Sequence, residues 1–220
     1  MLDGAVVLEQ PAPKHGYRVN VDAIHLARFA ALGATPNSHV VDLGAGVGAV
    51  ALCFGHLAGA ASLSLIEVDA NACELARRNL DRAGWSSRSA VLCADVAAVK
   101  THDLRHAPNV LLSNPPYTPM HAGRPSRVAE IDLARRGDVT RFLQCASRLL
   151  ADRAGGVCAV CYPVQGMTRL LADAARAGLQ LQRATFVHAR SDVSARLALV
   201  AFTPTGQRCT PTITPPWFES

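Results

Sequence analysis

The chain is poor in lysine and modest in charge. Of its 22 basic residues only Lys14 and Lys100 are lysines, the other 20 being arginine, and charged residues make up 18% of the 220 positions. A globular domain usually carries about a quarter, and chains that stay unfolded combine high charge with few apolar residues. Here 50% of residues are apolar, so a solvating or disordered chain is excluded. At 23.2 kDa the length suits one α/β domain with a full core and is too short for two large ones. No uninterrupted apolar run reaches the roughly 18 residues of a membrane-spanning helix. Met1–Gln10 lacks a basic region followed by an apolar stretch and a cleavage site, so export is not expected and a cytoplasmic location is. No internal repeat is visible.

No metal-ligand constellation stands out either. The seven cysteines are an odd number scattered through apolar runs, as reduced core residues of a cytosolic protein would be. Cys158 and Cys161 form a C-x-x-C, but they lie in a run that reads as a buried strand, where residues three apart point to opposite faces. His102 and His106 have helical ligand spacing without a third ligand nearby, and read as a surface loop. No metal is expected.

What is present is basic. The net charge is +5 and the isoelectric point about 9.0, compatible with a polyanionic partner. Guanidinium forks grip phosphate bidentately, which suits RNA. On count alone, codon bias in a GC-rich genome is the better account of the arginine excess.

Apolar runs rich in Val, Leu and Ala alternate with helical patterns. Strands are predicted at His39–Leu43, Leu63–Val68, Ala90–Ala94, Asn109–Ser113, Val157–Tyr162, Leu179–His188 and Ala195–Phe202. Helices are predicted at Ala23–Leu32, Ala49–Leu57, Ala70–Ala83, Val139–Leu150 and Val164–Ala177. Asp22 and Asp138 sit where N-caps belong, and Gly33, Gly84 and Gly178 just past helix ends. The alternation, with near-continuous apolar strands, implies a parallel sheet covered on both faces. Only Arg190–Ser194 separates the last two strands, a length that permits a hairpin and not a parallel crossover. Residues 118–137, with Pro119, Gly123, Pro125 and Gly137, form a long polar loop of the kind that carries function. The tail from Thr203 holds four prolines and is expected to run over the surface.

The first strand runs into Asp42-Leu43-Gly44-Ala45-Gly46-Val47-Gly48 before a helix. Glycine at such a turn lets the backbone bend sharply and approach a ligand, here at the topological switch point of the sheet. The second strand ends at Glu67, about 20 residues beyond the first glycine, where a carboxylate can accept from ribose hydroxyls. The third runs into Asp95, an acceptor within reach of an adenine amino group. Gly44, Gly46 and Ala49 also satisfy the dinucleotide fingerprint. Two details favour S-adenosylmethionine: Gly48 completes a D-x-G-x-G-x-G pattern, and Asp42 can meet a cationic amino-acid end but would repel a pyrophosphate.

The fourth strand ends in Ser113-Asn114-Pro115-Pro116-Tyr117. The prolines stop the strand and fix the local backbone. The Asn114 amide oxygen and the Pro115 carbonyl can then aim at one point, two acceptors for the two donors of an NH2 group. Such an amine is a poor nucleophile because its lone pair is delocalised. Holding its protons pushes it toward sp3 character, so catalysis rests on positioning and electrostatics. Tyr117 can stack on a planar base turned out into a pocket.

This constellation resembles the amino-group methyltransferases with the motif (D/N)-P-P-(Y/F/W), and among them the bacterial tRNA(Val) adenine(37) N6-methyltransferases and their small-domain relatives. The similarity starts at Gln10-Pro11 and Gly16-Tyr17-Arg18…Asp22-Ala23, and continues through Asp42–Gly48, Glu67, Ala76-Arg77-Arg78-Asn79, Asp95 and Asn114–Tyr117. It ends at His188-Ala189-Arg190 and Ala195-Arg196-Leu197. His25 stands where the family has leucine, Ala189 replaces a proline, and Thr203–Ser220 matches nothing in it. The resemblance implies a seven-stranded Rossmann-like α/β sheet of order 3-2-1-4-5-7-6 with the seventh strand antiparallel and helices on both faces. It implies one domain over residues 1–220, with 1–38 an N-terminal segment covering the cofactor and 203–220 a surface tail. It further implies S-adenosylmethionine bound by Tyr17, Arg18, Asp22, Asp42, Gly44, Gly46, Gly48, Glu67, Asp95 and Asn114, with Asn114, Pro115, Pro116 and Tyr117 at the chemistry.

Adenine N6 in RNA, guanine N2 in RNA, adenine in DNA and a glutamine side chain can all use this motif. Only about 38 residues precede the first strand and nothing globular follows the seventh, so the extra domains of glutamine, DNA and guanine enzymes are not expected. A bare core fits an enzyme that reads folded RNA, most naturally tRNA, by shape. Arg124, Arg127, Arg135 and Arg136, just after the motif, are expected on its phosphates. The competing classes are a non-catalytic nucleotide-binding module and a nicotinamide-dependent oxidoreductase, although no hydride-handling set stands out.

Overall fold

Runs that bury both faces become the strands of one sheet in a computed structural model that describes residues 1–12, 19–115 and 138–219. The strands are β1 (His39–Leu43), β2 (Ser62–Glu67), β3 (Ser89–Cys93), β4 (Val110–Ser113), β5 (Val157–Pro163), β6 (Leu179–His188), β7 (Leu197–Pro204), β8 (Thr212–Ile213) and β9 (Trp217–Phe218). Their order is β3-β2-β1-β4-β5-β7-β6-β8, with β9 also on β6. Strands β1 to β5 are mutually parallel, and β7 is antiparallel to both β5 and β6. The expected order and the expected hairpin are both present.

The period of two along each strand divides the core. Val40, Leu112, Cys161 and Leu199 face one apolar layer, formed with α1 (Asp22–Ala31), α2 (Ala49–Ala58) and α3 (Ala70–Arg82). Val41, Leu111, Cys158 and Val200 face the other, under α4 (Val139–Leu150) and α5 (Met167–Arg176). Cys158 and Cys161 thus lie on opposite faces. In α4 the buried Val139, Leu143, Ala146 and Leu150 recur at helical spacing on the side toward the sheet. His106 stacks on His39 with ring centroids 4.5 Å apart, and the Nε2 of His102 lies 3.6 Å from Asp103.

Three expectations are corrected. Asp22 is not an N-cap: it is the first residue of α1, after Val21, and its carboxylate turns inward to Arg196 at 2.8 Å. The predicted helix Val164–Ala177 is two pieces, because Pro163 holds the chain extended and a single 3-10 turn, Val164–Gly166, precedes α5. The tail is not merely draped on the surface. Its β8 and β9 add to the outer edge of β6, with Thr185 Oγ1 donating to the Pro215 carbonyl at 2.7 Å. Trp217 then reaches Phe29 of α1 edge-on, and Glu219 ion-pairs with Arg196. Prolines are tolerated there because an edge strand has one side without a ladder to feed.

Two helices begin on carboxylate caps. Asp138 accepts from the Thr140 N–H, and Asp69, unrecognised in the sequence, accepts from those of Asn71 and Ala72. Replacing either by alanine should lower the unfolding free energy by about 1 kcal/mol, read as a shift of the urea midpoint with an unchanged slope.

Candidate active site

The parallel register brings four strand ends to one edge. Leu43 of β1 lies beside Ile66 of β2 and Ser113 of β4, and Glu67 lies beside Cys93 of β3. The residues next in the chain, Gly44, Val68, Ala94 and Asn114, therefore open on the same crevice. Ser113 Oγ donates to the Leu43 carbonyl at 3.2 Å in a buried setting and ties the β4 terminus to that of β1.

Gly44, Gly46 and Gly48 all take positive φ, at 70°, 53° and 86°, where a side chain would be strained. Space separates their roles. A Cβ on Gly44 would lie 2.8 Å from the Phe142 ring of α4, and one on Gly48 would lie 2.8 Å from Leu65. A Cβ on Gly46 would meet nothing within 4 Å among the described residues. The middle glycine thus faces open space at the mouth of the crevice, where a ligand can approach the backbone. The loop is pinned from below by Gly44 and Ala45 N–H groups donating to the Ile66 carbonyl.

Glu67 reaches across to this loop. Its Oε2 accepts from the Gly46 N–H at 2.8 Å, while Oε1 accepts from those of Val68 and Asp69. Each carboxylate oxygen has two lone pairs, so Oε2 retains capacity for one more donor. Asp95 has both oxygens engaged, Oδ1 by the Ala97 N–H and Oδ2 by Arg141 of α4 at 2.5 Å. The Ala97 N–H and then Arg141 hold its carboxyl below the usual range.

Asp42 is 1% exposed and accepts from the Ala51 N–H in the first turn of α2 at 3.1 Å. Burial pushes its pKa up to about 7, aided by the charge of Glu67 and opposed by the Ala51 N–H. Asn114 follows β4, and its Oδ1 is buried without a hydrogen-bond partner among the described residues. A buried carbonyl oxygen left unpaired costs about 1–3 kcal/mol and marks a position that awaits a donor. Pro115 follows it, buried. Tyr17, Arg18, Pro116, Tyr117, Arg124, Arg127, Arg135 and Arg136 lie outside the described residues, as does the loop 118–137. Asp22 is held by Arg196 and by Asn20 Nδ2, a structural engagement at the foot of α1.

Sequence reasoning gave no role to three residues at this site. Phe142 packs on Gly44, Arg141 engages Asp95, and Asn79 hydrogen-bonds the glycine loop from below. Phe142 and Arg141 left no local signal, because each faces the crevice from the far side of a long loop.

The sequence matches the methyltransferase small domain across residues 23–187. The chain belongs to the methyltransferase small domain family. A Phocaeicola vulgatus protein named tRNA1(Val) (adenine(37)-N6)-methyltransferase is 29% identical over 87% of this chain and 79% of its own. One of the same name from Klebsiella pneumoniae is 28% identical over 87% and 77%. Among solved structures, an Agrobacterium tumefaciens protein described as a predicted O-methyltransferase shares the fold, with a TM-score of 0.66 at 24% identity over 90% of this chain and 86% of that one. M. jannaschii TYW2, solved with AdoMet, superposes with a TM-score of 0.57 at 16% identity over 90% and 82%.

The cofactor of this methyltransferase is S-adenosylmethionine, and the residues present fit it. Among the described residues, the open face of Gly46, the remaining acceptor site on Glu67 and the unpaired Asn114 oxygen lie at or just past adjacent strand ends at one edge of the sheet. Among the described residues no group of three or more His, Cys, Asp or Glu could hold a metal ion, and no helix is long and apolar enough to cross a membrane.

The raised pKa of Asp42 has a signed consequence. Its carboxyl stays protonated in the folded protein after the unfolded chain has ionised near its ordinary value of 3.8. The carboxyl therefore costs stability increasingly as pH rises from about 4 to about 7, by ~4 kcal/mol at most, and no further above that. Thermal unfolding of Asp42→Asn should show a shallower fall between pH 5 and pH 7.5 than the parent. Parallel curves would show that Asp42 is already ionised.

Proposed function

We propose that this methyltransferase transfers a methyl group to the exocyclic N6 of an adenine in tRNA, and that it acts on RNA without a metal. The observation that carries this reading is Asn114 Oδ1, a buried acceptor with no partner among the described residues at the end of β4, beside the glycine loop. The names of the two relatives support the choice of tRNA and of adenine.

The bound cofactor supplies an electrophilic methyl group. The protein's own part is to hold the amine. Asn114 Oδ1 and the Pro115 carbonyl accept its two N–H groups, draw its lone pair out of conjugation and direct it toward the methyl. Ser113 Oγ fixes the height of this pair relative to β1, because its bond to the Leu43 carbonyl joins the two strand ends. Glu67 accepts from the ribose, and Asp42, raised to about 7 by burial, ionises beneath the cationic amino-acid end of the cofactor, whose charge favours the carboxylate. Gly44, Gly46 and Gly48 let the backbone come close to it. Tyr117 stacks on the base, Pro116 stiffens the turn, and Tyr17, Arg18 and Asp22 belong to the covering segment. Arg124, Arg127, Arg135 and Arg136 contact phosphates.

Purified protein incubated with S-adenosylmethionine and unmodified tRNA should yield N6-methyladenosine in the nucleoside digest. N2-methylguanosine instead, or methylated glutamine in a protein substrate, would replace this reading. Asn114→Ala should leave cofactor binding nearly intact and slow methyl transfer about a hundredfold, a loss of ~2.7 kcal/mol of transition-state stabilisation. Full turnover in that variant would remove the assigned role. Changing the four loop arginines to alanine should weaken tRNA binding and flatten its salt dependence. An unchanged slope would place the phosphates elsewhere.

A further inference from the structure

We propose that Asn79 is a positioning residue that sets cofactor affinity by holding the glycine loop and the N-terminal segment in one clasp. This rests on the reading of that loop as the S-adenosylmethionine site. Asn79 lies in α3, the helix that begins soon after Glu67, and is 0% exposed. One amide hydrogen goes to the Val47 carbonyl at 3.0 Å and the other to the Glu9 carbonyl at 2.9 Å. Its Oδ1 accepts from the Glu9 N–H at 2.7 Å.

A primary amide is the one side-chain group with two donors and an acceptor at such spacing. Asn79 uses the acceptor and one donor to close a ring with the main chain of Glu9, and the second donor to reach the loop. Glu9 is then reinforced from outside: its carboxylate meets Arg78 at 2.8 Å and Arg82 at 3.4 Å. The next residue continues the connection, for Gln10 Oε1 accepts from the Val19 N–H at 3.0 Å.

The loop is thereby held from two sides. Glu67 accepts from the Gly46 N–H, and Asn79 donates to the carbonyl one residue further on, that of Val47. The peptide units around Gly46, the glycine with open space before it, are fixed before any ligand arrives. Loss of the amide would leave the Val47 carbonyl without this donor and allow the loop to relax, so the cofactor would have to reorder it on binding. Asn114 stands at the end of β4 and is fixed through Ser113 instead. The chemistry at the amine is therefore separable from the clasp.

The test compares the full-length protein with Asn79→Asp, which keeps shape and acceptor but loses both donors, and with Asn79→Ala. Glu9→Pro removes the N–H that Asn79 accepts while leaving the helix intact. Thr203→Ala is the control for lost stability alone, since its Oγ1 bonds the buried Gly156 carbonyl far from this edge. Calorimetry with S-adenosylmethionine should show a dissociation constant at least about tenfold higher in the Asn79 variants. It should be raised in the same direction in Glu9→Pro and unchanged in Thr203→Ala. At saturating cofactor, turnover on tRNA should stay within about threefold of the parent, so the loss falls on KM and not on kcat. Unchanged affinity in a folded Asn79 variant would overturn the assignment, as would a fall in kcat at constant affinity. Should both Asn79 variants fail to fold, Glu9→Pro decides by the same criterion. A parent protein that does not bind S-adenosylmethionine would overturn the reading of the site itself, and with it this inference.

Discussion

The hydrogen bond from the Gly46 N–H to Glu67 Oε2 joins the two strand ends on which the rest of the site depends. It forms inside a turn where Gly44, Gly46 and Gly48 adopt left-handed backbone, and in a register of β1 and β2 that brings Leu43 level with Ile66. A shift by one residue would turn Glu67 to the opposite face of the sheet. The two apolar layers prevent that slip, since neighbours such as Leu65 and Ile66 in β2 are committed to opposite ones. Core packing therefore sets the position of the carboxylate, and the carboxylate sets the loop.

The chemistry needs little beyond placement. No strongly activated acid or base is required when a methyl group moves from a sulfonium to an amine whose protons are held by two carbonyl oxygens. This fits a crevice where Asn114 offers a neutral buried acceptor. It also fits the absence of a perturbed carboxylate at that strand end among the described residues: Asp42 and Asp95, two of the shifted acids, belong to the β1 and β3 ends.

Much of this was legible from residue order alone, for identifiable reasons. Strands buried on both faces write themselves as apolar runs, and the short link between β6 and β7 leaves room only for a hairpin. The acids and glycines of the site were visible because each lies at or just past a strand end. What escaped is what depends on distant partners. Asp22 has the look of a cap, yet Arg196, 174 positions later, draws its carboxylate inward. Strands β8 and β9 are two residues each, too short to show alternation, and they sit among prolines. Asn79 was visible as part of a resemblance, but its partners are main-chain atoms of two segments, which no side-chain pattern reports. Residue order presents Asp42 as a carboxylate facing the cofactor, while its burial, and hence its raised pKa, appears only once α2 is laid over it.

The pairing of β9 with β6 has a bearing on how the protein is made. Trp217 sits against Phe29 of the first helix, and Glu219 closes on the arginine that already holds Asp22. Contacts between residues as far apart in the chain as Phe29 and Trp217 are entropically slow to close. On the ribosome, β1 to β5 can assemble while α1 still lacks one of its flanking walls. That wall arrives only with residues 217–219, so α1 stays unsealed until all of β1 to β8 have been made.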